Sequence, residues 1–113
     1  MRLLGADDPA PVEWVNDDSA APVLLLCEHA GQAVPGALQG LGLAPGEIDG
    51  HIGWDIGAEA LARGIAARLG APLLIQRYSR LVIDCNRPPE TAGSVPAVSD
   101  GVQVPANAAA TPQ

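Results

Sequence analysis

The chain contains no lysine and no phenylalanine. Its 6 basic residues are all arginines, set against 13 acidic ones, for a formal net charge of −7. Binding to a phosphate backbone needs a basic footprint, so no nucleic-acid partner is expected. Aromatic residues are nearly absent, limited to Trp14, Trp54 and Tyr78. The core must therefore be built from Leu, Ile, Val and Ala. Only two cysteines occur, Cys27 and Cys85, each at the end of an apolar run. That is no disulfide framework; two reduced thiols are expected, with a metal pair or a disulfide as lesser alternatives. No apolar run approaches the ~18 residues of a membrane helix. The start, "MRLLGADDPAPVEW", lacks the apolar segment of a secretory signal. The expectation is a soluble, cytoplasmic protein with no membrane partner.

What is present is a 48% apolar chain of 113 residues. That composition suits one small folded domain rather than disorder, despite 11 prolines and 13 glycines. Residues 1–21, rich in Asp, Pro and Ala, read as a flexible arm. Residues 22–27, "PVLLLC", read as a strand buried on both faces. Residues 30–46 are punctuated by glycine and proline and read as a loop with short helical turns. One such turn starts at Pro45 and ends at Gly50. Residues 55–69, "DIGAEALARGIAARL", give the clearest helix. Leu61, Ile65 and Leu69 recur every four residues, with Ala58 and Ala62 widening the face. Asp55 is a plausible N-cap and Gly70 a plausible C-cap. Strands are expected at 71–76, "APLLIQ", and 80–85, "RLVIDC". No periodic element follows residue 86. The order of elements resembles an α/β unit with a parallel sheet.

Three groups of residues stand out for their chemistry. Glu28 and His29 close the apolar run at 22–27. The plain alternative is a polar turn, but ligands gather beyond the carboxyl ends of sheet strands. His51 and Asp55, in "HIGWDIGA", pair the other histidine with an acid. Nitrogen and oxygen donors of this kind suit zinc, which needs three protein ligands in a catalytic site. Third, "QRYSRLVIDCNRPP" at 76–89 packs Arg77, Arg80 and Arg87 around Asp84 and Asn86. Guanidinium groups grip carboxylates bidentately, so a small anionic ligand is expected. The alternative is a structural ion pair between Arg80 and Asp84. Cys27, two residues from His29, is a weaker candidate nucleophile because it belongs to the buried run. No phosphate loop, nucleophile elbow or HExxH occurs.

Taken in order, "CEHAG" at 27–31, "HIGWDIGA" at 51–58 and "QRYSRLVIDCNRPP" at 76–89 resemble the N-formylglutamate amidohydrolase family. The "SDG" at 99–101 is similar too, although Ala106 stands before Asn107 where the family has glycine. The resemblance spans about 23–107 and implies a domain over 22–107 with a disordered tail at 108–113. It implies a phosphorylase/hydrolase-like three-layer α/β/α fold, incomplete in this chain, which reads as the N-terminal fragment of a longer one. It implies hydrolysis of the N-formyl or related N-acyl amide of a small acidic amino acid, aided by a divalent metal, zinc by donor chemistry. His29, Asp55 and His51 are the metal candidates, Glu28 and Asp84 the proton-transfer candidates. Arg77, Arg80, Asn86 and Arg87 are the substrate-binding candidates. A non-catalytic carboxylate-binding domain, or a degenerate remnant of the hydrolase, is the alternative.

Overall fold

The computed structural model describes residues 2–108. Its centre is a three-stranded sheet in the order β1-β3-β2, formed by β1 (Val12–Val15), β2 (Leu25–Cys27) and β3 (Leu73–Gln76). β2 and β3 run parallel, with Leu25 opposite Leu73 and Cys27 opposite Ile75. The helix α1 (Ala58–Leu69) lies between them in sequence, making a βαβ unit. β1 is antiparallel to β3, with Val12 opposite Gln76 and Val15 opposite Leu73.

β1 lies inside the segment read as a flexible arm, so that reading is corrected for residues 12–15. "VEWV" alternates in exposure along its length, as a strand with one covered face must. Glu13 faces α1 and pairs with Arg63, while Val15 joins the core under the helix. The expected tail begins at Ala108, the last residue of the short helix α2 (Pro105–Ala108). Residues 109–113 lie outside the described residues.

The strand read at 22–27 shrinks to its last three residues, and it is not buried on both faces. Leu25 and Cys27 turn inward, whereas Leu26 is 56% exposed. The expected strand at 80–85 does not form. Its backbone is spent on turns: Val82 N–H donates to Ser79 O, and Asp84 N–H donates to Ser94 O. Leu81 is fully buried, but within a second apolar cluster with Leu41, Ile52 and Val104. A single inserted leucine, rather than a ladder, explains the apolar run.

α1 begins three residues later than the sequence implies. Gly57 takes the capping position in the left-handed region at φ 86°, and Asp55 does not cap. Gly70 ends the helix at φ 60°, as expected. The buried face differs as well. Ala58, Ala62 and Ala66 meet Cys27, Leu73 and Ile75, while Leu61 is 66% exposed. Small side chains let the helix sit close on the sheet. Arg63 and Arg77 lock this seam by pairing with Glu13 and Glu59.

The connecting region behaves as read. Short 3-10 turns occupy Gly36–Gly42 and Glu47–Asp49, and Gly50 closes the second. Beyond residue 86 the chain is more ordered than expected. β4 (Val98–Ser99) and β5 (Val102–Gln103) form a hairpin. Its turn is Asp100-Gly101, at φ 47° and 78°, the geometry that two-residue hairpin loops prefer. Asn107 then staples this region to the fold, donating to Leu81 O and Pro96 O.

Candidate functional site

Glu28 and His29 lie in the turn that follows β2. The chain there passes against the end of β3. Gly31 is fully covered by the Arg77 backbone, and a Cβ at Gly31 would sit 2.6 Å from Arg77 Cα and nearer still to its carbonyl. Ala33 N–H donates to Arg77 O and Ser79 N–H donates to Ala33 O. The parallel pairing thus continues past the regular strands and holds His29 beside the 76–89 segment.

A second fastening brings in the 51–58 segment. The buried Ser79 hydroxyl donates to Gly53 O at 2.6 Å and accepts from Leu81 N–H. Asp55 N–H donates to His29 O at 2.8 Å. Three stretches distant in sequence therefore converge on one imidazole.

His29 is bracketed by two carboxylates. Its Nε2 is 2.7 Å from Asp84 Oδ1, and its Nδ1 is 3.3 Å from Asp55 Oδ2. Arg80 bridges the same two acids, 3.3 Å from Asp55 Oδ1 and 3.4 Å from Asp84 Oδ2. Arg87 Nε donates to Asp84 Oδ2 at 3.3 Å, and Asn86 N–H donates to Asp84 Oδ1. Asp84 is 4% exposed, whereas Asp55 and Arg87 are open to solvent. The burial gradient makes Asp84 the anchor and Asp55 the rim.

Burial pushes the Asp84 carboxyl up. The hydrogen bond from His29, the Asn86 amide and the charges of His29 and Arg80 outweigh it, and the net displacement is downward. Asp84 is thus an anion that orients the imidazole. Cys27 goes the other way: burial, then the nearby Glu59 charge, push its thiol up. A thiol held protonated is a poor nucleophile, which removes the case for Cys27. Both cysteines are free.

The remaining candidates fall elsewhere. His51 meets Asp100, on the hairpin turn, at 2.7 Å and is 75% exposed at its side chain. Arg77 is committed to Glu59 and Glu13 on the helix side of the sheet. Glu28 is half-buried and has no hydrogen bond or ion pair among the described residues. Asn86 reaches the site through its backbone N–H, with an exposed side chain. Sequence reading missed Ser79 and Ser94. Their signal was weak, because each works through backbone groups that only the fold brings near.

Among the described residues no group of three His, Cys, Asp or Glu side chains is placed to hold a metal ion. Both nitrogens of His29 already face carboxylates, and each carboxylate carries an arginine. Among the described residues no helix is long and apolar enough to cross a membrane.

Two comparisons with known proteins find matches that span most of the chain. The chain is similar to a gene product of Agrobacterium tumefaciens of known crystal structure, at 37% identity and a TM-score of 0.92. The match covers 96% of this chain and 43% of that one, so this chain spans less than half of its relative's length. No curated protein matches. The family profile described as N-formylglutamate amidohydrolase matches residues 21–113. With its three motifs folded into one cluster, the chain belongs to the N-formylglutamate amidohydrolase family, whose members are classed as hydrolases of carbon–nitrogen bonds other than peptide bonds.

Proposed function

We propose that the His29 cluster serves the hydrolysis of the N-formyl, or related N-acyl, amide of a small acidic amino acid. One observation carries this reading: an imidazole held between Asp84 and Asp55 at the carboxyl end of β2, with Arg80 reaching both acids. His29, oriented by the buried Asp84, moves a proton. Water adds its oxygen to the acyl carbon, the carbon–nitrogen bond breaks, and the departing amine takes up a proton. Formate and the free amino acid result. An imidazole set against a carboxylate is suited to both transfers. Arg87 and Arg80, at the open side of the cluster, are placed to receive the carboxylates of an anionic substrate.

The divalent metal that the family resemblance implies needs donors beyond this cluster. His29 and Asp55 touch each other, but the third candidate, His51, is held by Asp100. We read the fold as part of a three-layer α/β/α domain, a reading that the three-stranded sheet with α1 packed on it supports. Two free thiols suit a reducing compartment, and we place the protein in the cytoplasm.

N-formylglutamate is the probe. The expected result is calorimetric binding that Arg80→Ala weakens, with release of formate. Neither binding nor formate release, at millimolar N-formylglutamate, would contradict the proposal.

A further inference from the structure

The segment that follows Asp84 closes on itself. Arg87 N–H donates to Asp84 O, and Thr91 N–H donates to Pro88 O. The buried Ser94 hydroxyl lies 2.8 Å from both Pro89 O and Thr91 O and shares its proton between them. Asp84 N–H then donates to Ser94 O at 2.7 Å. The two ends of the 84–94 loop therefore meet, as in a compact Ω-loop. This return lays Gly93 against Arg87. A Cβ at Gly93 would stand 3.1 Å from Arg87 Cδ, 3.1 Å from its Nη1 and 3.4 Å from its Cζ, its three nearest neighbours. Gly93 is not in the left-handed region, so its backbone does not call for glycine. The closeness of the guanidinium does.

Arg87 is fixed at one edge and open at the other. Its Nε donates to Asp84 Oδ2 at 3.3 Å. Its Nη1 and Nη2 donate to no group among the described residues, and the side chain is 55% exposed. Arg80 differs, because it spends Nη1 on Asp55 and Nη2 on Asp84. Arg63 and Arg77 are held by Glu13 and Glu59. Of the two arginines in the His29 cluster, Arg87 is thus the one that keeps both terminal nitrogens unspent.

We infer that Gly93 is a positioning residue for substrate binding: its bare backbone seats the Arg87 guanidinium, so that Nε stays on Asp84 while Nη1 and Nη2 receive a carboxylate. A side chain at 93 pushes the guanidinium off that seat. A two-point contact between a guanidinium and a carboxylate has a fixed geometry and tolerates little displacement. The role in binding rests on the anionic substrate proposed above; the seat itself does not.

A double-mutant cycle tests it, with Gly93→Val, Arg87→Ala and the two combined in the whole chain. Calorimetry with N-formylglutamate should show Gly93→Val weakening binding by about tenfold or more. Gly93→Ala should weaken it less, because a Cβ alone asks the guanidinium to give by a few tenths of an ångström. The combined variant should bind no more weakly than Arg87→Ala alone. Unfolding midpoints of both Gly93 variants should stay within about 3 °C of the parent, since the atoms displaced belong to a mobile side chain. Losses that multiply in the combined variant, or a Gly93→Val protein that binds like the parent, overturn the inference. A second readout needs no substrate. The Arg87 Nε–H resonance, assigned by its absence from Arg87→Ala, should exchange with water at least about tenfold faster in Gly93→Val than in the parent. An unchanged rate overturns the seat. Faster exchange with no binding of N-formylglutamate by the parent keeps Gly93 as the seat of Arg87 and sinks the substrate reading instead.

Discussion

Replacing Gly31 by alanine should unfold the site's foundation, whereas the same change at Gly64 should strengthen the protein. At Gly31 a Cβ would meet Arg77 Cα at 2.6 Å, with the carbonyl nearer still. Carbon pairs rest at about 3.5–4.0 Å, and the carbonyl lies nearer than Cα, so the two backbones must part by more than about 1 Å. That separation strains the Ala33 N–H to Arg77 O and Ser79 N–H to Ala33 O bonds, each worth about 1 kcal/mol. Overpacking adds a further 1–3 kcal/mol or so. The total is about 3–5 kcal/mol, a fall in Tm of roughly 12–20 °C for a domain of this size. Gly64, inside α1, faces open space, and alanine there should gain about 0.5–1 kcal/mol from helix propensity. Thermal unfolding followed by circular dichroism measures both. Gly31→Ala within about 0.5 kcal/mol of the parent, a difference ordinary at surface sites, would refute the close approach that places His29.

Two further outcomes follow from the same cluster. Asp84 titrates below the ordinary 3.8 of an aspartate, so its contribution to stability is fully present above that value. The contribution is lost only as pH falls below it, through the folded-state value. Asp84→Asn should therefore lower the urea midpoint at pH 7 and flatten its decline on acidification; parallel curves for the two proteins would contradict this. Ser79→Ala removes a donor to Gly53 O and an acceptor for Leu81 N–H, both buried, and should cost about 1–3 kcal/mol in thermal or urea unfolding. A neutral effect would show that Ser79 does not fasten the 51–58 segment.

Much of the architecture was legible in the sequence, and the exceptions share a cause. α1 and β3 emerged near their true bounds because their apolar spacing and flanking glycines are local signals. The face of α1 did not, because the buried side was chosen by closeness of packing: Ala66 is buried and Leu61 is not. The 80–85 segment misled because six apolar-rich residues do not separate a strand from a loop that inserts one leucine. β1 and the β4–β5 hairpin were overlooked although "VEWV" and "VSDGVQ" carry strand and turn signals. Both lie among prolines and acids that read as loop. In the site, His29, Asp55, Asp84, Arg80 and Arg87 were all named from sequence, and the fold brings all five together. His51 and Arg77 were named by the same logic and drawn elsewhere, to Asp100 and Glu59. Residue type and motif membership do not reveal which of two acids a basic group will reach.

The two histidines give the most direct test of the central claim, that His29 between Asp84 and Asp55 is the hydrolytic centre. Formate release from N-formylglutamate should be compared between His29→Gln and His51→Gln, with unfolding midpoints checked for each. The account predicts a loss of about 10²–10⁴ for His29→Gln, and a rate within about twofold of the parent for His51→Gln, whose side chain stands in solvent beside Asp100. Full activity without His29, or a collapse of activity without His51, would contradict it.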